Sequence, residues 1–150
     1  MSSKRDLVSL LPHRPPLLFL EEAQMTDEPA LLARQTIPVD DVFLRGHFPG
    51  FPMWPGVLLS EAMAQATAIY LLQDRDPLSN DDVPVLGAVD VQFLKPVFPG
   101  DVIQYVARLT RRIEDLGLFS VTATRGSEVV ARGRISAGIT ARAALRPPER

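Results

Sequence analysis

The chain has two histidines, and His47 lies in a segment rich in glycine and proline, "RGHFPGFPMWPG" at residues 45–56. Glu61 follows in a segment of helix-forming composition. Imidazole ordinarily exchanges protons near neutral pH and is a common general base. A carboxyl group among apolar residues is desolvated, which raises its pKa and lets it donate a proton. This base and this acid suit removal of a proton next to a carbonyl, with loss of a β-substituent.

The segment between these two residues also predicts a binding position for an anionic oxygen. Pro55-Gly56 leads directly into the predicted helix, so the amides of Gly56 and Val57 are expected at its N-terminus. Amides in that position lack an intrahelical acceptor and carry partial positive charge. They are suited to stabilise an oxyanion that develops during a reaction.

Each of these residues also has a structural interpretation, which is the more common one on composition alone. Glu61 can be a first-turn acid that stabilises the helix dipole, and His47 a loop residue satisfied by hydrogen bonds. Gln65 lies one turn beyond Glu61 on the same helix face, where it either orients the carboxyl or is a surface amide. His13, in "LPHRPP", is expected to satisfy backbone groups of its own loop rather than to take part in catalysis.

The composition indicates one globular domain over residues 1–150, with residues 140–150 expected to form a flexible tail. Hydrophobic residues make up 46% of the chain and the formal net charge is −2, which gives no support for nucleic-acid binding. The chain has no cysteine, which excludes disulfides and Cys-based metal sites. We see neither a signal peptide nor an apolar run long enough to span a membrane, and we expect a cytoplasmic location.

Hydrophobic periodicity predicts two strands, one long helix and then four strands. A short helical turn is expected at 6–11, extended segments at 17–26 and 30–39, and a loop over 40–56. From Val57 to about Asp74 the chain lacks Gly and Pro and is apolar almost all round, which indicates a mostly buried helix. Alternation with period two then predicts strands whose inward positions include Val85–Phe93, Ile103–Leu109, Phe119–Ala123 and Val129–Ala137.

The short links between strands imply antiparallel pairing, and one helix against one sheet is an α+β arrangement. The helix can be buried all round only if a strongly curved sheet or a second subunit covers it.

Three motifs carry a resemblance to a known family. The stretch "GHFPGFPMWPGVLLSEAMAQA" at 46–66 closely resembles the signature of bacterial (3R)-3-hydroxyacyl-[acyl-carrier-protein] dehydratases of the FabZ type. "LLPHRPPLLFL" at 10–20 is similar to the family's N-terminal motif, and "LGAVDVQFLKPVFPGD" at 86–101 to its post-helix strand and turn. The resemblance extends from about residue 7 to residue 139.

The resemblance implies a hot-dog fold, in which a curved antiparallel sheet wraps round one central helix. It implies that His47 is the base and Glu61 the acid, contributed by different subunits, and that the Gly56 amide polarises a thioester carbonyl. The implied enzyme is a hydro-lyase of fatty acid or polyketide or aryl-polyene biosynthesis that needs no metal or cofactor. Its implied partners are acyl carrier protein and a second copy of the chain, with a hexamer of three dimers as a further expectation.

Other positions leave alternatives open. Aromatic residues of the His47 loop, Phe48 and Trp54, are expected to line or shorten an acyl tunnel, and the alternative for Trp54 is core packing. Arginines of the late strands either receive an acidic carrier protein or form a solvated face. The competing functions are a hot-dog acyl thioesterase and a non-catalytic acyl-binding partner subunit.

Overall fold

A computed structural model describes residues 6–75, 81–145, 147 and 149. Within these residues the chain forms six strands, two α-helices and two short 3-10 turns at Leu7–Leu10 and Arg142–Leu145. The elements are, in chain order, β1 (Glu22–Met25), β2 (Ala30–Thr36), α1 (Val42–Gly46), α2 (Gly56–Leu72), β3 (Asp82–Phe93), β4 (Val102–Ile113), β5 (Leu116–Arg125) and β6 (Glu128–Ala141).

All strands belong to one antiparallel sheet in the order β1-β2-β4-β5-β6-β3, which leaves β1 and β3 at its edges. Helix α2 packs against β2, β3, β4, β5 and β6, so one face of the sheet surrounds it. The α+β hot-dog prediction is therefore confirmed. No helix in the described part of the chain is long and apolar enough to cross a membrane, and the cytoplasmic location stays a prediction.

The core lies between α2 and the inward face of the sheet. Helix α2 has the Ala- and Leu-rich composition of a strong helix former, and it buries residues on nearly every side. On β4 and β5 all but one of the predicted inward residues are buried, namely Ile103, Tyr105, Ala107, Phe119, Val121 and Ala123, whereas Leu109 is partly buried. Their alternation with exposed neighbours is the reason that these strands could be read from the sequence.

The edge strand β3 does not follow this pattern. Its alternate positions over Val85–Phe93 were expected to point inward, and that prediction was wrong for a single chain, because the strand is largely exposed on both faces. Its exposed apolar side chains include Val85, Leu86, Val89 and Phe93. Its backbone pairs on one side only, with β6. An apolar edge strand of this length is normally covered by another chain segment or a partner.

Four further sequence predictions were wrong in detail. Residues 42–46 form helix α1 inside the expected loop, since Asp41 caps it by accepting from the Phe43 amide at 2.7 Å. Residues 17–21 are not strand, and β1 begins only at Glu22. Strand β3 begins at Asp82 and includes Pro84, which an edge strand tolerates.

The fourth difference concerns the C-terminal segment that was expected to be a flexible tail. Strand β6 continues to Ala141 in register with Asp82 of β3, and a 3-10 turn follows it. Ladder hydrogen bonds therefore hold the beginning of this segment. Residues 146, 148 and 150 of the expected tail lie outside the described residues, as do residues 76–80 between the predicted helix and the strand that follows it.

We expect Gly133→Ala to destabilise the fold by about 2–3 kcal/mol, the range for overpacking a site that cannot relax. A Cβ at Gly133 would lie 2.7 Å from Val91 Cα and still closer to the Asp90 carbonyl oxygen. Both obstacles are backbone atoms of β3. Chemical denaturation at fixed protein concentration measures the change.

Gly46→Ala is the matched control, because a Cβ there meets nothing within 4 Å. We expect this control to change the free energy of unfolding by less than about 0.5 kcal/mol. Equal stability of the two variants would contradict the close approach of β3 to β6.

Candidate active site

The His47 loop is held by its own backbone. His47 caps the C-terminus of α1, and its amide donates to the Leu44 carbonyl at 3.1 Å. Phe48 and Phe51 exchange two backbone hydrogen bonds of 2.9 Å across a turn in which Gly50 has φ of 75°. That positive φ favours glycine, which explains why this residue type stands at the turn. The Met53 amide closes the loop by donating to the His47 carbonyl at 2.9 Å.

The hydrogen bonds of the loop also determine which imidazole nitrogen of His47 is basic. Nδ1 lies 2.8 Å from the Met53 carbonyl oxygen. Because a carbonyl only accepts, Nδ1 must carry the ring proton in the neutral imidazole, and Nε2 keeps its lone pair. The ring stacks on Phe48 with centroids 4.1 Å apart. The structure therefore provides an oriented ring whose Nε2 can accept a proton.

The N-terminus of α2 presents free amides. Pro55 is the N-cap and offers no side-chain hydrogen bond. Within the described residues, the Gly56 and Val57 amides donate to no acceptor, so they are available to an anionic oxygen. A Cβ at Gly56 would lie 3.2 Å from the Phe93 ring, so glycine permits this close packing. Val57 is 72% exposed beside it.

Glu61 lies on α2 with two donors directed at the same carboxylate oxygen. Gln65 Nε2 donates to Oε1 at 3.1 Å, and His13 Nε2 lies 3.4 Å from Oε1. The hydrogen bond with the His13 ring is the largest influence on the pKa of Glu61 and lowers this pKa. Desolvation by burial raises the pKa, and the Gln65 hydrogen bond lowers it further. The net pKa of Glu61 lies below the ordinary value. The expectation of a raised pKa was therefore wrong for a single chain, because the sequence showed the apolar neighbours but not the donors.

Gln65 is buried, and its amide uses its whole hydrogen-bonding capacity except one lone pair. Its Oε1 accepts from the Phe19 amide at 3.1 Å, while Nε2 donates to the Leu17 carbonyl at 2.6 Å and to Glu61. The sequence left open whether Gln65 orients the Glu61 carboxyl or is a surface amide. The structure has the first arrangement, since Gln65 is buried and hydrogen-bonded to Glu61. The same contacts explain why residues 17–19 do not pair as a strand, since a side chain satisfies their backbone groups.

His13 is the residue whose position sequence reasoning missed. It was assigned to its own loop, yet the structure places its ring beside Glu61, with Nδ1 buried and unpartnered in the described part of the chain. The proline-flanked "PHR" motif was the available signal, but it does not state which residue the ring meets.

A cavity of about 160 Å³ adjoins Glu61. It is bounded by His13 and Gln65, by the Pro84–Leu86 segment of edge strand β3 and by Ala137 of β6. His47 does not line this cavity, and the contacts of its ring, to Met53 and Phe48, are not shared with Glu61. A single chain therefore presents the two predicted catalytic residues in separate surroundings.

The two aromatic residues of the His47 loop differ in their surroundings. Phe48 is 47% exposed beside the His47 ring. Trp54 is buried and makes edge-to-face contacts with Phe19 and Phe43, with centroids 5.6 and 6.1 Å away. These contacts match the core-packing alternative for Trp54.

One curved antiparallel sheet round a buried helix, with a histidine loop leading into that helix, defines a hot-dog domain with a histidine–glutamate residue set. A family model described as a FabA-like domain matches residues 11–134. The chain belongs to this family. It is also similar to proteins named 3-hydroxyacyl-[acyl-carrier-protein] dehydratase FabZ.

Two of these relatives illustrate the extent of the similarity. The protein from Polynucleobacter necessarius is 35% identical over 140 residues, which cover 92% of this chain and 93% of the relative. The protein from Clostridium perfringens is 32% identical over 136 residues, covering 90% and 96%.

Solved structures share the fold. The dehydratase heterocomplex ApeI:P from Xenorhabdus doucetiae aligns with a TM-score of 0.76 and 21% identity, covering 95% of this chain and 96% of the other. The fluoroacetyl-CoA thioesterase FlK aligns with a TM-score of 0.67 and 15% identity, covering 81% and 93%.

We expect Gln65→Met to lower the free energy of unfolding by about 1–3 kcal/mol, because it leaves the Phe19 amide and the Leu17 carbonyl without partners. The substitution keeps the length of the side chain. Gln104→Met is the matched control, since Gln104 is exposed on β4. Denaturant melts of both variants test this, and a Gln65→Met protein as stable as the control would exclude the anchoring role.

Proposed function

We propose that the chain catalyses the reversible dehydration of (3R)-3-hydroxyacyl-[acyl-carrier-protein] to the trans-2-enoyl thioester, and thus acts as a hydro-lyase. The observation that carries the proposal is the residue set of the site. A histidine loop with a free Nε2, unpaired amides at a helix N-terminus and a partly buried glutamate occur in a chain up to 35% identical to dehydratases named for this reaction.

Each group has one role in the proposed step. His47 Nε2 removes a proton from the carbon next to the thioester carbonyl, and the electrons of that C–H bond form the new double bond. The amides of Gly56 and Val57 stabilise the negative charge that develops on the carbonyl oxygen. Glu61 gives its proton to the departing hydroxyl, so the C–O bond breaks with release of water. Phe48, exposed beside the His47 ring, borders the path of the acyl chain in this proposal.

The step requires a protonated Glu61, whereas the pKa of Glu61 is lowered in the isolated chain. Burial already opposes this shift. Covering the carboxyl with substrate and a second protomer strengthens desolvation, which raises the pKa toward the value that a proton donor needs.

We further propose that the site is completed by a homodimer that pairs along β3. Strand β3 is a free edge of twelve residues with exposed apolar side chains, and its Pro84–Leu86 segment borders the Glu61 cavity. A second copy seated on this edge covers that cavity and supplies its His47 loop to it. Assembly of three such dimers into a hexamer, and docking of acyl carrier protein on arginines of the outer face, extend the same proposal.

We expect His47→Ala and Glu61→Gln each to lower kcat by at least about a hundredfold, the usual contribution of a general acid or base. The assay follows enoyl formation from a (3R)-3-hydroxyacyl thioester on carrier protein. Free thiol released in place of enoyl product would identify a thioesterase and overturn the proposal.

Co-expression of the two variants under different tags tests whether the site is shared. A heterodimer purified through both tags contains one site with both residues intact, so we expect about half of the wild-type turnover per dimer. Circular dichroism of each parent verifies the fold. A heterodimer as inactive as its parents would place the histidine and the glutamate of each site in one chain.

We expect Val89→Lys to produce monomers with little activity, because a charge on this edge strand opposes pairing. Val89 is 41% exposed in the single chain. Val102→Lys is the matched control, since Val102 is 42% exposed but lies on the internal strand β4. Light scattering coupled to size-exclusion chromatography gives the mass of each variant, and a dimeric, active Val89→Lys protein would exclude this interface.

A further inference from the structure

The two carboxylate oxygens of Glu61 differ in their hydrogen-bond partners. Gln65 Nε2 and His13 Nε2 both approach Oε1, at 3.1 and 3.4 Å. In the described residues, Oε2 has no partner. One carboxylate oxygen is therefore held by the protein and the other is left for a ligand.

The backbone around His13 is fixed independently of Glu61. The Arg14 guanidinium donates to the Leu11 carbonyl at 3.1 Å and to the His13 carbonyl at 2.7 Å. Farther along the loop, Gln65 anchors Leu17 and Phe19. These contacts hold the loop backbone, and thereby place the His13 ring against helix α2 in the protein without substrate.

The two ring nitrogens of His13 have different surroundings. Nδ1 is buried with no hydrogen-bond partner among the described residues, whereas Nε2 faces Glu61. A buried N–H without an acceptor is costly, so the ring proton belongs on Nε2, where a carboxylate accepts it. The 3.4 Å separation is long for a hydrogen bond, and such contacts in catalytic sites commonly shorten once substrate binds.

We propose that His13 is a positioning residue for Glu61, which holds Oε1 with its Nε2–H so that Oε2 faces the leaving oxygen of the substrate. This inference rests on the dehydration proposed above. As the C–O bond breaks, the proton on Oε2 moves to the departing oxygen and its bonding electrons remain on the carboxylate. The negative charge that appears spreads onto Oε1, where the N–H of His13 and the amide of Gln65 stabilise it.

Among the groups around Glu61, His13 has the largest influence on the pKa of its carboxyl. The loop contributes His13 and the permanently charged Arg14, which is engaged with backbone carbonyls. Helix α2 contributes the neutral Gln65, and the lining residues of β3 and β6 have no titratable side chain. A donor that favours the carboxylate form lowers the pKa of Glu61, as found, so removal of His13 raises that pKa.

His13→Gln and His13→Asn form a matched pair for the test. The terminal amide nitrogen of Gln reaches the position of Nε2, whereas that of Asn reaches only the position of Nδ1. We expect His13→Asn to lower kcat by about ten- to hundredfold, the loss for one hydrogen bond to a charged group, with KM changed little. We expect His13→Gln to recover most of kcat.

The second readout is the pKa of Glu61 in the substrate-free dimer. A ¹³C titration of its carboxyl resonance, assigned by its absence from Glu61→Gln, measures this pKa. We expect the lowest Glu61 pKa in the wild type, a slightly higher one in His13→Gln and the highest in His13→Asn, because burial by the second protomer is common to all three dimers and only the donor differs.

Equal kcat and equal Glu61 pKa in the two variants would overturn the proposal, because a residue that only docks the loop loses stability alike in both. If a variant fails to fold, the ¹⁵N spectrum of the His13 ring in the wild type still decides, since a proton on Nδ1 instead of Nε2 would contradict the contact with Glu61. A wild-type protein that forms no enoyl product refutes the dehydration instead. The titration without substrate then still tests the His13 contact by itself.

Discussion

The buried amide of Gln65 is the interaction on which the arrangement of the site depends. It joins three parts of the chain that the sequence separates, namely the loop at Leu17 and Phe19, the helix α2 and the carboxyl of Glu61. A buried amide left unsatisfied is costly, so these hydrogen bonds hold only one relative placement of loop and helix. That placement brings His13 onto Glu61. The arrangement of the polar groups at the site therefore follows from one buried, hydrogen-bonded amide.

A second constraint comes from the helix itself. Helix α2 is apolar almost all round, so it must be enclosed, and the sheet encloses it except near its N-terminus, while the edge strand β3 that packs against it is itself exposed. The unpaired amides, the exposed Val57 and the Glu61 cavity lie in this incompletely covered region. Strand β3 is also the edge along which we propose that a second copy pairs. Under that proposal, one open edge accounts both for the exposed apolar side chains and for the separate surroundings of His47 and Glu61.

The sequence predicted the regular parts of this fold well. Helix α2 is apolar on nearly every side, and strands β4 and β5 alternate between buried and more exposed positions over most of their length, so these patterns directly reflect burial. Prediction from the sequence failed where tertiary contacts favour a different structure from the one that the local pattern indicates. Helix α1 is five residues long among glycines and prolines and depends on an Asp41 cap, while residues 17–21 exchange strand pairing for hydrogen bonds to Gln65.

In the candidate site, too, the sequence indicated which residues are candidates but not which distant groups they contact. His47, Gly56 and Glu61 could be named as candidates because glycine, proline and helix-forming composition mark the loop and the helix start, and the resemblance to the FabZ-type family favoured a catalytic interpretation over a structural one. The contact between His13 and Glu61 could not be predicted, because no local pattern states which distant side chain a loop histidine will meet. The tautomer of His47 likewise depends on the Met53 carbonyl, a backbone atom that sequence does not position.

The acidity of Glu61 is determined by competition between burial and hydrogen bonding. Apolar neighbours remove water and raise its pKa, whereas His13 and Gln65 stabilise the carboxylate and lower it, and in the isolated chain the donors prevail. A carboxyl that must alternate between acid and carboxylate in a reversible reaction needs both influences, since either one alone would favour a single protonation state. In the proposed dimer, substrate and a second protomer would exclude more water from Glu61 and raise its pKa further. The two donors would then keep the carboxyl able to release its proton in the closed site.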